Sequence, residues 1–154
     1  MSKPKNILLA EDSPLDVEMT VTALSDHNLA NTIVVVRDGA EALDYLYRRG
    51  AFAARTDGDP ALVLLDIKMP RVDGLEVLRQ IKGDDSLRTI PVVMLTSSRE
   101  ESDLARSYRL GINAYVVKPV DFPAFMDALK QVGVFWTVHN ELPPSSTAPA
   151  PVLS

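Results

Sequence analysis

Short, wholly apolar runs recur along the chain, each stopping on polar residues and each handing over to a stretch with helical spacing. Ile7-Leu8-Leu9-Ala10 is the first and ends in Glu11-Asp12; Ser13-Pro14 then offers an N-cap with proline at the first helical position. Val17, Val21 and Leu24 repeat at i, i+4 and i+7, the spacing of one buried helix face, until His27-Asn28 ends it. Thr32 to Val36 is β-branched and predicts a second strand, followed by a helical face of Ala40, Leu43 and Tyr47 with Gly50 as its C-cap. The third run, Leu62-Val63-Leu64-Leu65, stops on Asp66. After Ile67-Lys68-Met69-Pro70-Arg71-Val72-Asp73-Gly74, a stripe of Leu75, Leu78 and Ile81 or Lys82 continues to Gly83-Asp84. Pro91 to Thr96 predicts the fourth strand, with proline at its start where it does least harm. Ser98-Arg99-Glu100-Glu101 fits a capping box for a helix with Leu104 and Tyr108 on one face and Gly111 at its end. Ala114 to Pro119 predicts the fifth strand, and Asp121 starts a last helix with Phe122, Phe125, Met126, Leu129 and Val132 on one side.

Runs that are apolar at every position suit strands buried on both faces. Five of them alternating with five helices predict an α/β fold, a doubly wound five-stranded parallel sheet joined by right-handed crossovers. The stretch from Gly50 to Ala61 carries two glycines, a proline and two aspartates, and reads as a loop longer than the usual connection. Residues 5–138 are expected to form the domain; residues 139–154, rich in Pro, Ser and Ala, are expected to be a flexible tail that packs no core.

Composition narrows the function classes. A length of 154 residues suits one core, and the longest apolar runs, such as Ile33 to Val36, fall far below membrane-spanning length. A net charge of −5 without a basic stripe argues against a nucleic-acid partner. There is no cysteine, hence no disulfide or thiolate chemistry, and Met1 to Asn6 lacks the apolar core of a signal peptide, so a cytoplasmic location is expected.

In an open parallel sheet the carboxyl ends of the strands lie along one edge, and ligands bind there. Glu11-Asp12, Asp66, Thr96-Ser97 and Lys118-Pro119 all stand at predicted strand ends and should crowd one crevice. Arg37-Asp38, after the second strand, is not placed with them. Three carboxylates in one crevice repel, each pair by roughly 4 kcal/mol at 4 Å with an effective dielectric of 20. Oxygen-only ligands favour Mg²⁺ or Mn²⁺ as the compensating charge. Lys118 adds an ammonium and Thr96 a hydroxyl, which together make a trap for a phosphoryl group with the Asp66 carboxylate as nucleophile.

With these residues in this order, the chain resembles the receiver domains of two-component signalling, the response-regulator family whose single-domain example is the chemotaxis regulator. The motifs are the acidic pair after strand one, Asp66 in an L-L-D-x-x-M-P-x-x-D-G block, Thr96 after strand four and Lys118-Pro119 after strand five. The resemblance implies a flavodoxin-like topology and a phosphoryl group received on Asp66 from the phosphohistidine of a sensor kinase. It implies Mg²⁺ held by Asp12, Asp66 and the backbone carbonyl of Lys68, with Glu11 acting through water or directly. Lys118 and Thr96-Ser97 would contact the phosphoryl oxygens, Tyr115 would turn inward with Thr96, and the Lys118–Pro119 bond would be cis. The output would be phosphorylation-dependent binding of a downstream protein, read on the predicted fourth helix, fifth strand and fifth helix. The loop after Gly50, the Asp103 to Asn113 segment and the ending Phe135-Trp136 with Leu142-Pro143 resemble the small regulators paired with phytochrome-type histidine kinases.

Two other activities share parts of this pattern. A phosphohydrolase of the haloacid dehalogenase type also uses an Asp nucleophile, but its second acid stands two residues on, where this chain has Lys68. A flavodoxin-like electron carrier needs a hydroxyl-rich loop after strand one, and Glu11-Asp12 would repel a flavin phosphate. One of Phe135 and Trp136 is expected to face outward and form a homodimer seam.

Overall fold

The computed structural model describes residues 6–25, 32–97 and 114–132. In chain order these form β1 (Ile7–Ala10), α1 (Pro14–Ser25), β2 (Ile33–Val36), α2 (Gly39–Tyr47), a 3-10 turn (Gly50–Phe52), β3 (Leu62–Asp66), α3 (Gly74–Gly83), β4 (Val92–Thr96), β5 (Ala114–Val117) and α4 (Phe122–Val132). The strands make one parallel sheet in the order β2-β1-β3-β4-β5. The helix predicted from Ser98 to Gly111, the two histidines, Phe135-Trp136 and the tail lie outside the described residues.

Alternation along the strands divides the core into two layers. Leu8, Ala10, Val63, Leu65, Val92 and Met94 pack against α2 and α3, whereas Ile7, Leu9, Leu62, Leu64, Val93 and Leu95 pack against α1 and α4. Both layers are buried, which is why the strands read as unbroken apolar runs instead of alternating ones. The order places β1 and β3 side by side at the centre, with their carboxyl ends adjacent, and that adjacency is the basis of the site.

Two local expectations change. Arg48, at φ 55°, takes the left-handed position that closes α2, while Gly50, at φ 59°, opens the 3-10 turn. The buried stripe of α2 runs through Gly39, Ala42, Leu43 and Leu46, with Ala40 and Tyr47 only half-buried. Tyr45 is buried too, because the long loop folds back onto it. The Arg55 guanidinium lies 3.9 Å from the ring centroid and donates to the Tyr45 carbonyl, while also donating to Asp57 and Gly58. The long connection is thus held from within by one arginine.

Candidate functional site

The turn after β1 is wired before any ligand is considered. Glu11 is fully buried, its amide donates to the Val36 carbonyl at 3.0 Å, and its carboxylate accepts from the Ser13 amide at 3.1 Å. Ser13 in turn caps α1 by accepting from the Asp16 amide. Asp12, between them, is left exposed at the rim. Across the β1–β3 ladder Ala10 pairs with Leu65, so Asp66 arrives next to Glu11; it is 4% exposed. On the other side, the Lys118 amide donates to the Thr96 carbonyl at 2.7 Å and the Lys118–Pro119 bond is cis, which ties the end of β5 to that of β4.

Glu11, Asp12 and Asp66 each offer a carboxylate oxygen, and these oxygens lie within 4.8 Å of one another. The Lys118 ammonium stands 2.9 Å from Glu11, 2.9 Å from Asp16 and 3.3 Å from Asp66. Burial works against its charge, but hydrogen bonds to Asp16 and Glu11 and the field of Asp66 outweigh burial and hold it above the ordinary lysine range. Asp66 is pushed the other way: burial first, then the Glu11 charge, raise its carboxyl to about 7, with Lys118 only partly opposing. One ammonium therefore serves a cluster in which negative charge is in excess. An all-oxygen donor set of converging carboxylates, one of them still short of countercharge, fits a hard divalent cation.

In the metal-free protein the Asp66 carboxyl couples proton binding to folding. Between the ordinary aspartate value of 3.8 and about 7, the folded chain holds a proton here that the unfolded chain has released. The contribution of this group to stability therefore falls as pH rises through that window. Thermal melting in chelator should show a lower midpoint at pH 8 than at pH 5, and Asp66→Asn should flatten that slope. A slope of equal size in the variant would put the titrating group elsewhere.

Of the residues singled out from the sequence, Glu11, Asp12, Asp66 and Lys118 are brought together directly. Thr96 is fully buried at the end of the strand next to Asp66, and Ser97 is exposed one residue on. Tyr115 is half-buried against the α2/α3 layer, the face that alternation also gives to Thr96. Lys68 lies in the loop between Asp66 and Gly74 with its side chain exposed.

Three contributors escaped the sequence reading. Asp16 is a direct Lys118 partner; its place one helical turn after Asp12 was the available signal. Gly74 matters for close packing: a Cβ there would lie 2.0 Å from the Asp66 carbonyl oxygen, and its amide donates to the Ile67 carbonyl at 2.7 Å. Asp38, set aside on sequence grounds, caps α2 and pairs with Arg71 of the β3–α3 loop.

Known proteins similar to this chain fall in one family. The family model "Response regulator receiver domain" matches residues 7–130. The structure of the bacteriophytochrome response regulator AtBRR is 61% identical with a TM-score of 0.86, covering 91% of this chain and 100% of that one. Response regulator Rcp1 of Synechocystis sp. (strain ATCC 27184 / PCC 6803 / Kazusa) is 35% identical over 91% of this chain and 94% of its own length. Its Mn²⁺-bound crystal form has a TM-score of 0.69, at 36% identity over 91% of this chain and 99% of that one. The phosphorylated cyanobacterial phytochrome response regulator RcpA is 37% identical with a TM-score of 0.69, covering 91% of this chain and 98% of that one. With the carboxylate cluster, the lysine and the sheet order in place, the chain belongs to the response-regulator receiver-domain family of two-component signalling.

Proposed function

We propose that Asp66 is the phosphoacceptor of this receiver domain and that residues 5–138 act as a cytoplasmic phosphorylation-driven binding module, with residues 139–154 as its tail. The observation that carries the reading is the buried Asp66 carboxylate held 3.3 Å from Lys118, with Glu11 and Asp12 beside it. In the transfer, an Asp66 carboxylate oxygen attacks phosphorus as the P–N bond to the donor imidazole breaks; the imidazole keeps the electron pair and takes a proton. Asp66 must be ionised to attack, and Lys118 favours that form. Lys118 and the Thr96 hydroxyl are assigned to the incoming phosphoryl oxygens, with Ser97 beside them. Tyr115 is assigned to follow Thr96 inward.

Asp12, Asp66, the Lys68 carbonyl and Glu11, directly or through water, are assigned to hold Mg²⁺. A bound divalent cation would neutralise the carboxylates and the phosphoryl charge. The product is an acyl phosphate carrying roughly −1.5 to −2 charge at the rim, in place of the single charge of the carboxylate. Its slow loss to water would make the domain catalyse only its own phosphorylation and dephosphorylation. The modified face is then read by a downstream protein or a second copy of the chain, through the predicted fourth helix, β5 and α4 or through Phe135 and Trp136. A dehalogenase-type phosphohydrolase is disfavoured, since the side chain two residues after Asp66 is the exposed Lys68.

The donor is expected to be a sensor histidine kinase of the phytochrome type, as the relatives' names suggest. The exposed face of α1 offers it a docking surface: Leu15 is 63% and Met19 41% exposed, and both line an apolar groove closed by Val120, two residues beyond Lys118. Phosphotransfer from such a kinase should proceed with Mg²⁺ and stop in chelator. The Leu15→Glu/Met19→Glu variant should slow it by about tenfold or more while leaving labelling by a small phosphodonor at the wild-type rate. Equal slowing of both reactions would place the defect in the site and not in docking.

A further inference from the structure

The loop that leads from Asp66 into α3 is held at three points. At its far end Gly74 lies against the Asp66 backbone and its amide donates back to Ile67. In its middle Ile67 and Met69 are buried in the α2/α3 layer, leaving Lys68 and Pro70 outward. At its tip Arg71 grips Asp38 with a two-pronged contact, Nε to Oδ2 at 3.0 Å and Nη2 to Oδ1 at 3.0 Å. Asp38 is itself fixed, because its carboxylate also caps α2 through the Glu41 amide at 2.8 Å. The tip is closed further by the Val72 amide donating to the Pro70 carbonyl at 2.8 Å, and by Gly39, where a Cβ would lie 1.8 Å from the Val72 carbonyl oxygen.

Two features mark the Arg71 contact as more than a surface ion pair. Arg71 has φ 67°, a left-handed conformation that a side chain with a Cβ adopts only where its surroundings impose it. The sheet order β2-β1-β3 also means that a bond from the β3–α3 loop to Asp38, two residues past β2, spans the strand between them. That strand is β1, which is followed directly by Glu11 and Asp12. The contact thus bridges the two flanks of the carboxylate cluster.

We infer that the Arg71–Asp38 pair is a positioning clamp that fixes the Lys68-bearing loop over the end of β1 and thereby sets the affinity of the site for a divalent cation. This rests on the metal reading of Glu11, Asp12 and Asp66 proposed above. The clamp makes a prediction that simple electrostatics does not share. Removing the Arg71 charge without a clamp should strengthen cation binding, and removing the Asp38 charge should weaken it, so the two variants would move in opposite directions. A clamp requires both to weaken it.

The test is calorimetric titration of the full chain with MnCl₂, alongside thermal melting. Arg71→Gly keeps the left-handed turn accessible, and Asp38→Asn keeps a good helix cap, so both should fold as wild type does. Each should raise the Mn²⁺ dissociation constant about tenfold, and the double variant should be no worse than the worse single one. Arg71→Lys, which keeps the charge and loses the fork, should resemble Arg71→Gly. Affinities moving in opposite directions, or wild-type affinity in both single variants while Asp12→Ala loses binding, would overturn the clamp and leave the metal site standing. Wild-type affinity in Asp12→Ala would overturn the metal reading and the clamp with it.

Discussion

Gly74→Ala should lower stability by about 3 kcal/mol, near the upper end for overpacking, and should slow phosphorylation of Asp66 by about 100-fold. The added Cβ would meet the Asp66 carbonyl oxygen at 2.0 Å and the Asp66 carbonyl carbon and Ile67 Cα at 2.9 Å. Those are backbone atoms of Asp66 and of the residue after it, so no side chain can swing away to make room. Either α3 backs off, with loss of the Gly74 to Ile67 hydrogen bond, or the end of β3 shifts and takes the carboxylate out of the cluster. Gly83→Ala is the matched control: nothing lies within 4 Å of its Cβ position, and it stands in the last turn of α3. That variant should be neutral or more stable, by up to about 1 kcal/mol. Chemical denaturation and a phosphorylation time course would show both effects, and equal behaviour of the two alanine variants would remove the packing explanation.

Lys118→Met should have the second large effect, and its size should depend on conditions. Lys118 is 11% exposed and lies within ion-pair distance of Glu11, Asp16 and Asp66. Removing one partner of a buried ion pair costs about 3–5 kcal/mol, because the remaining charges lose their compensation. At pH 8 in chelator the variant should melt far below wild type. At pH 5 a proton on Asp66 takes up part of the deficit, and the gap should narrow. Saturating Mg²⁺ should narrow it as well, and the variant should bind the cation more tightly than wild type. Signalling should nevertheless fail, since the ammonium assigned to the phosphoryl oxygens is gone. A stability loss independent of pH and of metal would show that Lys118 packs the rim and does not balance its charge.

Much of this site could be read from the sequence for a topological reason. In a parallel sheet every strand ends on the same edge, so knowing that Glu11-Asp12, Asp66, Thr96 and Lys118 follow strands is almost enough to bring them together. The strands themselves were plain because residues such as Leu62 to Leu65 are buried on both faces and carry no polar interruption. Features set by loops were not legible. The turn at Arg71 depends on a left-handed arginine, which no propensity marks, and its Asp38 partner is distant in sequence, so only the sheet order relates them. The burial of Tyr45 was hidden for a related reason: it is covered by Arg55, a residue of the long loop that has no periodicity of its own. Gly74 read as a turn residue, whereas what it supplies is the absence of a side chain against Asp66.

The acyl phosphate should form on Asp66 and nowhere else in the chain. Wild-type protein incubated with acetyl phosphate and Mg²⁺, then reduced with borohydride and digested, should yield homoserine at position 66 in peptide mass spectra. The product should be absent in chelator and in Asp66→Ala. Homoserine or phosphate at another residue, or undiminished incorporation in Asp66→Ala, would contradict the account.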